Sequence, residues 1–276
     1  MSTHCRSASH RANPAKSSRR RSPDVTRPVT LITGASAGLG VDFARQLAAR
    51  GQRLVLVARR KDRLDTLADE LGNARSVTAD LSEAGAAEQL MAGLASNGEH
   101  VELLVNNAGF GLTGRFADLG GARQRQMIDL NCGALVELAH AVLPGMIERK
   151  SGAILNVAST AAFQPGPGMA VYFATKAFVL SFSEALHEEV RKDGVVVSAL
   201  CPGPTATEFG QVAGFNGHPI VDPLTAKSND VVTAGLAGLD SRQAIVIPGF
   251  ANKLGAQGHR FLPRSLLRRI AGTIKL

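Results

Sequence analysis

The only tyrosine of this 276-residue chain, Tyr172, stands in VYFATKAF four residues before Lys176. On a helix that spacing puts both side chains on one face, within reach of the same ligand. A phenol has a pKa of about 10 in water, and a nearby ammonium favours its ionised form, so the pair suits proton transfer. Taken alone it also reads as a plain helix face whose lysine snorkels to water. A second group of residues suits anion binding. VTLIT runs into GASAGLG, where Gly34, Gly38 and Gly40 are spaced G-x-x-x-G-x-G. Such a stretch permits a tight turn, close backbone approach to a pyrophosphate, and a helix start whose free N–H groups attract anions.

The end of the next apolar run, RLVLVARRK, is where a carboxylate would hold an adenosine ribose 2′-OH; here it carries Ala58, Arg59 and Arg60. A guanidinium binds a 2′-phosphate bidentately and a carboxylate repels it, which selects NADP(H) over NAD(H). One of the two arginines is enough for that contact; Arg-Arg-Lys at a helix start is also a common solvated charge run.

These residues need a scaffold that brings distant segments together. From Val29 onward VTLIT, RLVLVA, RSVTA, VELLVNN, GAILNVAS, VVVSALCP and AIVIP alternate with amphipathic stretches such as KDRLDTLADELG and FVLSFSEALHEEVRKDG. Continuous apolar strands separated by helices that end in glycine predict an α/β fold, a doubly wound parallel sheet with helices on both faces. Ligands of such sheets bind beyond the carboxyl ends of the strands.

The formal net charge of +8 resembles a nucleic-acid signal until it is divided along the chain. Residues 1–28 carry seven Lys/Arg and one Asp, residues 242–276 carry seven and no acid, and the remainder is net −5. A mildly acidic body argues against nucleic acid. Cys5, Cys132 and Cys201 form no CxxC pair, which argues against a disulfide framework or zinc and fits a reducing, cytoplasmic setting. No apolar run approaches the ~20 residues of a membrane span. His140 and His187 have no ligand spacing, so no metal is expected. Residues 1–28 read as a disordered basic tail, 29–250 as one domain and 251–276 as a basic amphipathic extension.

Further motifs complete a pattern: NNAG at Asn106–Gly109, Asn131 in DLN, Ser159 thirteen residues before Tyr172, and PGPTAT from Pro202. With TGASAGLG and YFATK they make residues 29–250 strongly resemble the short-chain dehydrogenase/reductase family in its NADP-preferring, Tyr-x-x-x-Lys form. The resemblance implies a Rossmann-type seven-stranded sheet and an Asn131–Ser159–Tyr172–Lys176 tetrad. Tyr172 would be the acid or base, its pKa lowered by the charge of Lys176 together with that of oxidised nicotinamide, and Lys176 would also bind the nicotinamide ribose. Ser159 would orient the substrate oxygen, and Asn131 would fix a water in a proton relay. By position, Gly34, Ser36, Gly38, Leu39 and Gly40 would line the pyrophosphate turn. Arg59 or Arg60 would hold the 2′-phosphate, and Asp80 and Leu81 would meet the adenine. Asn107, Ala108 and Gly109 would follow the adenosine ribose, and Pro202, Gly203, Thr205 and Thr207 would flank the nicotinamide. The expected activity is interconversion of a small-molecule carbonyl and a secondary alcohol by a homodimer or homotetramer. The competing expectation is a non-catalytic nucleotide-binding regulator on the same fold.

Phe209, Val212, Phe215, Ile220 and Leu224 predict an apolar substrate pocket under a glycine-hinged cover, with Phe110 and Phe163 as wall or core. Leu262, Leu266, Leu267, Ile270 and Ile274 form a stripe flanked by Arg264, Arg268 and Arg269. Packing of that stripe on the body or a second subunit is preferred over an anionic membrane surface.

Overall fold

The computed structural model describes Met1 and residues 26–214, 225–258 and 263–273. Its strands are β1 (Arg27–Thr33), β2 (Leu54–Ala58), β3 (Ala74–Thr78), β4 (Glu99–Asn106), β5 (Ala153–Val157), β6 (Val196–Leu200) and β7 (Ile245–Val246). They pair in parallel in the order β3-β2-β1-β4-β5-β6-β7. β1 begins at Arg27, ahead of the expected boundary at Val29, because Arg27 and Pro28 pair with Glu99 and His100 of β4.

The helices are α1 (Leu39–Ala49), α2 (Lys61–Leu71), α3 (Ala86–Ser96), α4 (Gly121–Ile128), α5 (Leu135–Arg149), α6 (Ala170–Val190), α7 (Phe209–Ala213), α8 (Ser228–Asp240), α9 (Phe250–Gly258) and α10 (Arg264–Thr273). Strand side chains alternate between two cores. Leu31, Val55, Val57 and Leu104 pack with Leu94, Leu138, Met146 and Val190 of α3, α5 and α6. Ile32, Leu54, Leu56 and Val105 pack on the opposite face with Phe43, Leu64 and Leu236 of α1, α2 and α8. Burial on both faces explains the unbroken apolar strands, each such side chain contributing about 1.5–3 kcal/mol.

α4 and α5 are joined by a π-turn, Asp129–Ala134, so that helix runs continuously from Gly121 to Arg149. By length and composition this run could cross a membrane, which corrects the expectation that no such segment exists. In this fold it is an interior helix, with Leu138, Ala139, Val142 and Met146 buried in the first core.

A buried polar chain fixes α6 against the sheet. Asn106 Nδ2 donates to Asn156 Oδ1 at 3.0 Å, Asn156 Nδ2 donates to Ser183 Oγ at 2.9 Å, and Ser183 Oγ donates to Val179 O at 2.6 Å. Apolar packing tolerates small slips, but a mispaired buried amide costs about 1–3 kcal/mol, so this chain sets the position of α6. On that helix stand Tyr172 and Lys176.

Candidate active site

A cavity of about 1030 Å³ opens beyond the carboxyl ends of β1, β2, β4, β5 and β6, spanning the point where the strand order reverses between β1 and β4. Its wall includes Gly34, Ser36, Gly38, Leu39, Arg59, Arg60, Asp80, Leu81, Asn107, Ala108, Gly109, Ser159, Tyr172, Lys176, Pro202, Gly203, Thr205 and Thr207. Of the expected site residues, Gly40 and Asn131 do not border it.

Gly40 instead packs the turn on itself: a Cβ there would lie 2.2 Å from the Gly34 carbonyl oxygen. Gly40 thus brings turn and helix into close contact, set back from the cavity wall. Gly34 and Gly38 adopt φ of +68° and +54°, the left-handed region where a side chain is strained. Thr33 Oγ1 accepts from the N–H groups of Asn107 and Ala108, both at 3.0 Å, which locks the β4 exit against the turn.

Gly38 caps α1 with no side-chain hydrogen bond, leaving the first N–H groups of an 11-residue helix beside the cavity wall at Gly38 and Leu39. At the next strand end Arg59 pairs with Asp80 at 3.6 Å, and Arg60 donates from Nε to Ser36 Oγ at 3.1 Å. A helix start that attracts anions and two half-exposed guanidinium groups in one cavity fit a pyrophosphate and a further phosphate. Asp80 also accepts from Ser82 N at 3.0 Å and Ser82 Oγ at 2.6 Å, so its carboxylate shapes its own loop.

Lys176 is buried, at 6% exposure, and donates from Nζ to the Val157 carbonyl oxygen at 2.7 Å. Burial lowers its pKa to about 8. Burial pushes Tyr172 in the other direction, to about 12, with the Ser159 hydroxyl acting to lower it. Without nucleotide, Nζ stands 5.8 Å from the Tyr172 ring centroid and burial raises the phenol rather than lowering it. Tyr172 is held as a neutral phenol, a proton donor at neutral pH. Ser159 follows β5 in extended conformation; its Oγ accepts from Ala161 N at 3.1 Å and donates to the Pro202 carbonyl oxygen at 3.4 Å.

Asn131 is 1% exposed and lies in the π-turn. Its Oδ1 accepts from Phe110 N at 3.1 Å, and its Nδ2 donates to Phe110 O at 3.0 Å and Thr175 Oγ1 at 3.1 Å. It ties the loop after β4 to α6 next to Lys176, and so acts as a positioning residue. Cys201 is buried and Cys132 partly so; burial raises both thiols, to about 12 and about 11. His187 Nδ1 meets Val197 O at 2.6 Å, and the described residues hold no metal-ligating cluster.

The opposite end of the cavity is apolar. Phe110, Met169, Phe173, Phe209 and Val212 line it, with Gln164 and Gln211 as amides. Phe163 packs elsewhere, beside Val179 and Leu180, and is core. Phe215, Ile220 and Leu224 lie outside the described residues, as do Leu262 and Ile274. Ala271 of α10 is buried and borders the cavity, while Leu266, Ile270, Arg264, Arg268 and Arg269 are exposed. Met169, Phe173 and Ala271 carry no recognisable signal in the sequence.

The family model described as short chain dehydrogenase matches residues 28–214. The chain is 40% identical over 209 residues to the NADP-dependent 3-hydroxy acid dehydrogenase YdfG of Salmonella typhi, covering 75% of this chain and 83% of that protein. It is 34% identical over 218 residues to the very-long-chain 3-oxoacyl-CoA reductase of Homo sapiens, covering 75% and 68%. Among solved structures, a short-chain dehydrogenase from Sphingobium yanoikuyae in complex with NADPH superposes with a TM-score of 0.76 at 34% identity, covering 90% of this chain and 97% of that one. The bulky-bulky ketone specific alcohol dehydrogenase from Comamonas testosteroni gives 0.73 at 31%, covering 91% and 96%.

Proposed function

The chain belongs to the short-chain dehydrogenase family, and from that premise we propose how its own residues perform the chemistry. It is an NADP(H)-dependent oxidoreductase that interconverts a carbonyl and a secondary alcohol. The bound nicotinamide supplies hydride to the carbonyl carbon, or accepts it from the alcohol. The α1 start, with Gly34, Ser36, Gly38 and Leu39, would hold the pyrophosphate, and Arg59 and Arg60 the 2′-phosphate. Asp80 and Leu81 would flank the adenine, Asn107, Ala108 and Gly109 the ribose beside it, and Pro202, Gly203, Thr205 and Thr207 the nicotinamide.

In reduction Ser159 Oγ and the Tyr172 hydroxyl converge on the substrate oxygen. Tyr172 donates its proton as negative charge develops there, and Ser159 holds that oxygen in place. The observation that carries this assignment is the joint one: Ser159, Tyr172 and Lys176 share one cavity wall, the last two one turn apart on α6. Lys176, retained as a cation at neutral pH, would stabilise the tyrosinate left behind. The apolar end supports a hydrophobic ketone or alcohol as substrate, since Phe110, Met169, Phe173 and Phe209 gain by covering carbon. The non-catalytic alternative finds no support.

The wider proposal keeps a catalytic domain over residues 29–250, a homodimer or homotetramer, and a cytoplasmic location, to which the unpaired Cys132 and Cys201 are suited. Ala271 against the cavity favours packing of α10 on the body over a membrane contact. The deciding experiment is NADPH oxidation over a panel of ketones and aldehydes with Tyr172→Phe. Turnover is expected to fall about 10²–10⁴-fold while NADPH affinity stays within about twofold; equal turnover in the variant would overturn the tyrosine assignment.

A further inference from the structure

Glu208 follows the PGPTAT motif and immediately precedes α7, yet its carboxylate reaches across the cavity to the phosphate end. Oε2 lies 2.9 Å from Arg60 Nη1 and Oε1 lies 2.6 Å from Arg63 Nη1. Arg60 spends its remaining fork on Ser36, Nε on Oγ and Nη2 on the backbone oxygen at 3.2 Å. One carboxylate thus sits between two guanidinium groups, the arrangement a phosphate dianion would seek. These two arginines lower the Glu208 pKa, so it stays charged at neutral pH.

The same segment governs the apolar end. Thr207 crosses over the glycine turn, its Cβ 3.0 Å from where a Gly38 side chain would begin. One residue beyond Glu208, the Phe209 ring lies over Tyr172 at a centroid distance of 5.2 Å. At the far end of α7 the Ala213 carbonyl oxygen accepts from Thr113 N at 2.9 Å. α7 is therefore a strap fastened at both ends, to the arginines through Glu208 and to the loop after β4 through Ala213.

We propose that Glu208 is a specificity-determining positioning residue: it stands in for the cofactor 2′-phosphate at Arg60, and a 2′-phosphorylated nucleotide displaces it, unfastening α7 and freeing Phe209 from Tyr172. An unphosphorylated nucleotide leaves the clasp closed. NADP(H) then differs from NAD(H) in two ways, by its added contact and by admitting substrate. Coupling of this kind is reciprocal, so whatever holds α7 in place weakens nucleotide binding. The pair is half-exposed, with side-chain exposures of 43% and 41%, so its hold is modest and displacement is within reach of a phosphate.

The inference rests on the NADP(H) reading and is tested with fragments too short to reach Phe209. Hydrogen exchange is followed in residues 208–214 of the full chain with saturating adenosine 2′,5′-bisphosphate or with 5′-AMP. The bisphosphate is expected to speed exchange and AMP to leave it unchanged. In Glu208→Gln, which keeps the side-chain shape, exchange should be fast from the start, unaltered by the bisphosphate, and the bisphosphate Kd should fall about threefold. Unchanged or slower exchange at verified saturation, or a Kd that rises in the variant, would overturn this proposal alone. Equal affinity for the bisphosphate and AMP would overturn the NADP(H) reading and this proposal with it.

Discussion

The two ends of the cavity are built from different material. At the phosphate end the wall is backbone: the left-handed Gly34 and Gly38, the uncapped start of α1, and the exits of β1, β2 and β4. At the other end it is side chain, Phe110, Met169, Phe173, Phe209 and Ala271, drawn from segments far apart in the chain. A ligand common to many enzymes can be met by a rigid frame, whereas a variable ligand is met by replaceable carbon surfaces. Charge changes at the first end should therefore act on cofactor binding, and volume changes at the second on substrate binding.

The largest effect should come from reversing charge at the phosphate end. Arg59→Asp should weaken NADPH binding by about 10–100-fold, the worth of one charged hydrogen bond, with a much smaller change for NADH. Titration of nucleotide fluorescence measures both; an unchanged ratio would leave Arg60 as the phosphate contact without Arg59. Next, Phe209→Ala should raise KM for apolar ketones about tenfold through lost contact, while NADPH Kd falls by no more than about threefold because the ring no longer holds α7 closed. Weaker NADPH binding instead would show that Phe209 supports the nucleotide rather than the strap.

The third effect is on stability rather than binding and concerns Lys176, which lies between the two ends. Its pKa is lowered to about 8 in the folded protein from 10.5, so between those values the unfolded chain binds more protons and stability rises with pH. Below pH 8 both forms are protonated and the buried charge costs about 3 kcal/mol. Lys176→Met should therefore melt higher than the native protein at pH 7 without added cofactor. That gap should close as pH climbs toward 10. A gap that widens with pH would mean that the folded protein raises the Lys176 pKa, and a gap independent of pH would place Lys176 in solvent.

The phosphate end is legible in the sequence because its requirements are local: glycines at fixed spacing, a strand before them and a helix after them. Tyr172, Lys176 and Ser159 are legible for the same reason, each lying in a motif on one element. The burial that raises Tyr172 is not, since residue spacing conveys a neighbouring charge but not the loss of solvent around it. Nor is the orientation of Gly40, because spacing cannot tell a glycine that faces ligand from one that faces the Gly34 carbonyl. Ala271 and the Arg60–Glu208–Arg63 cluster are beyond reading, because their partners are adjacent only after the sheet is wound.

The π-turn at Asp129–Ala134 has a bearing on insertions and deletions. Such a turn is one surplus residue carried inside a helix. Removing a residue there would restore regular winding, yet it would also shift the turn's own residues against the loop after β4 and against α6. Asn131 would then lose either Phe110 or Thr175. Length changes in this chain should be tolerated far more readily almost anywhere else on its surface than in these six residues.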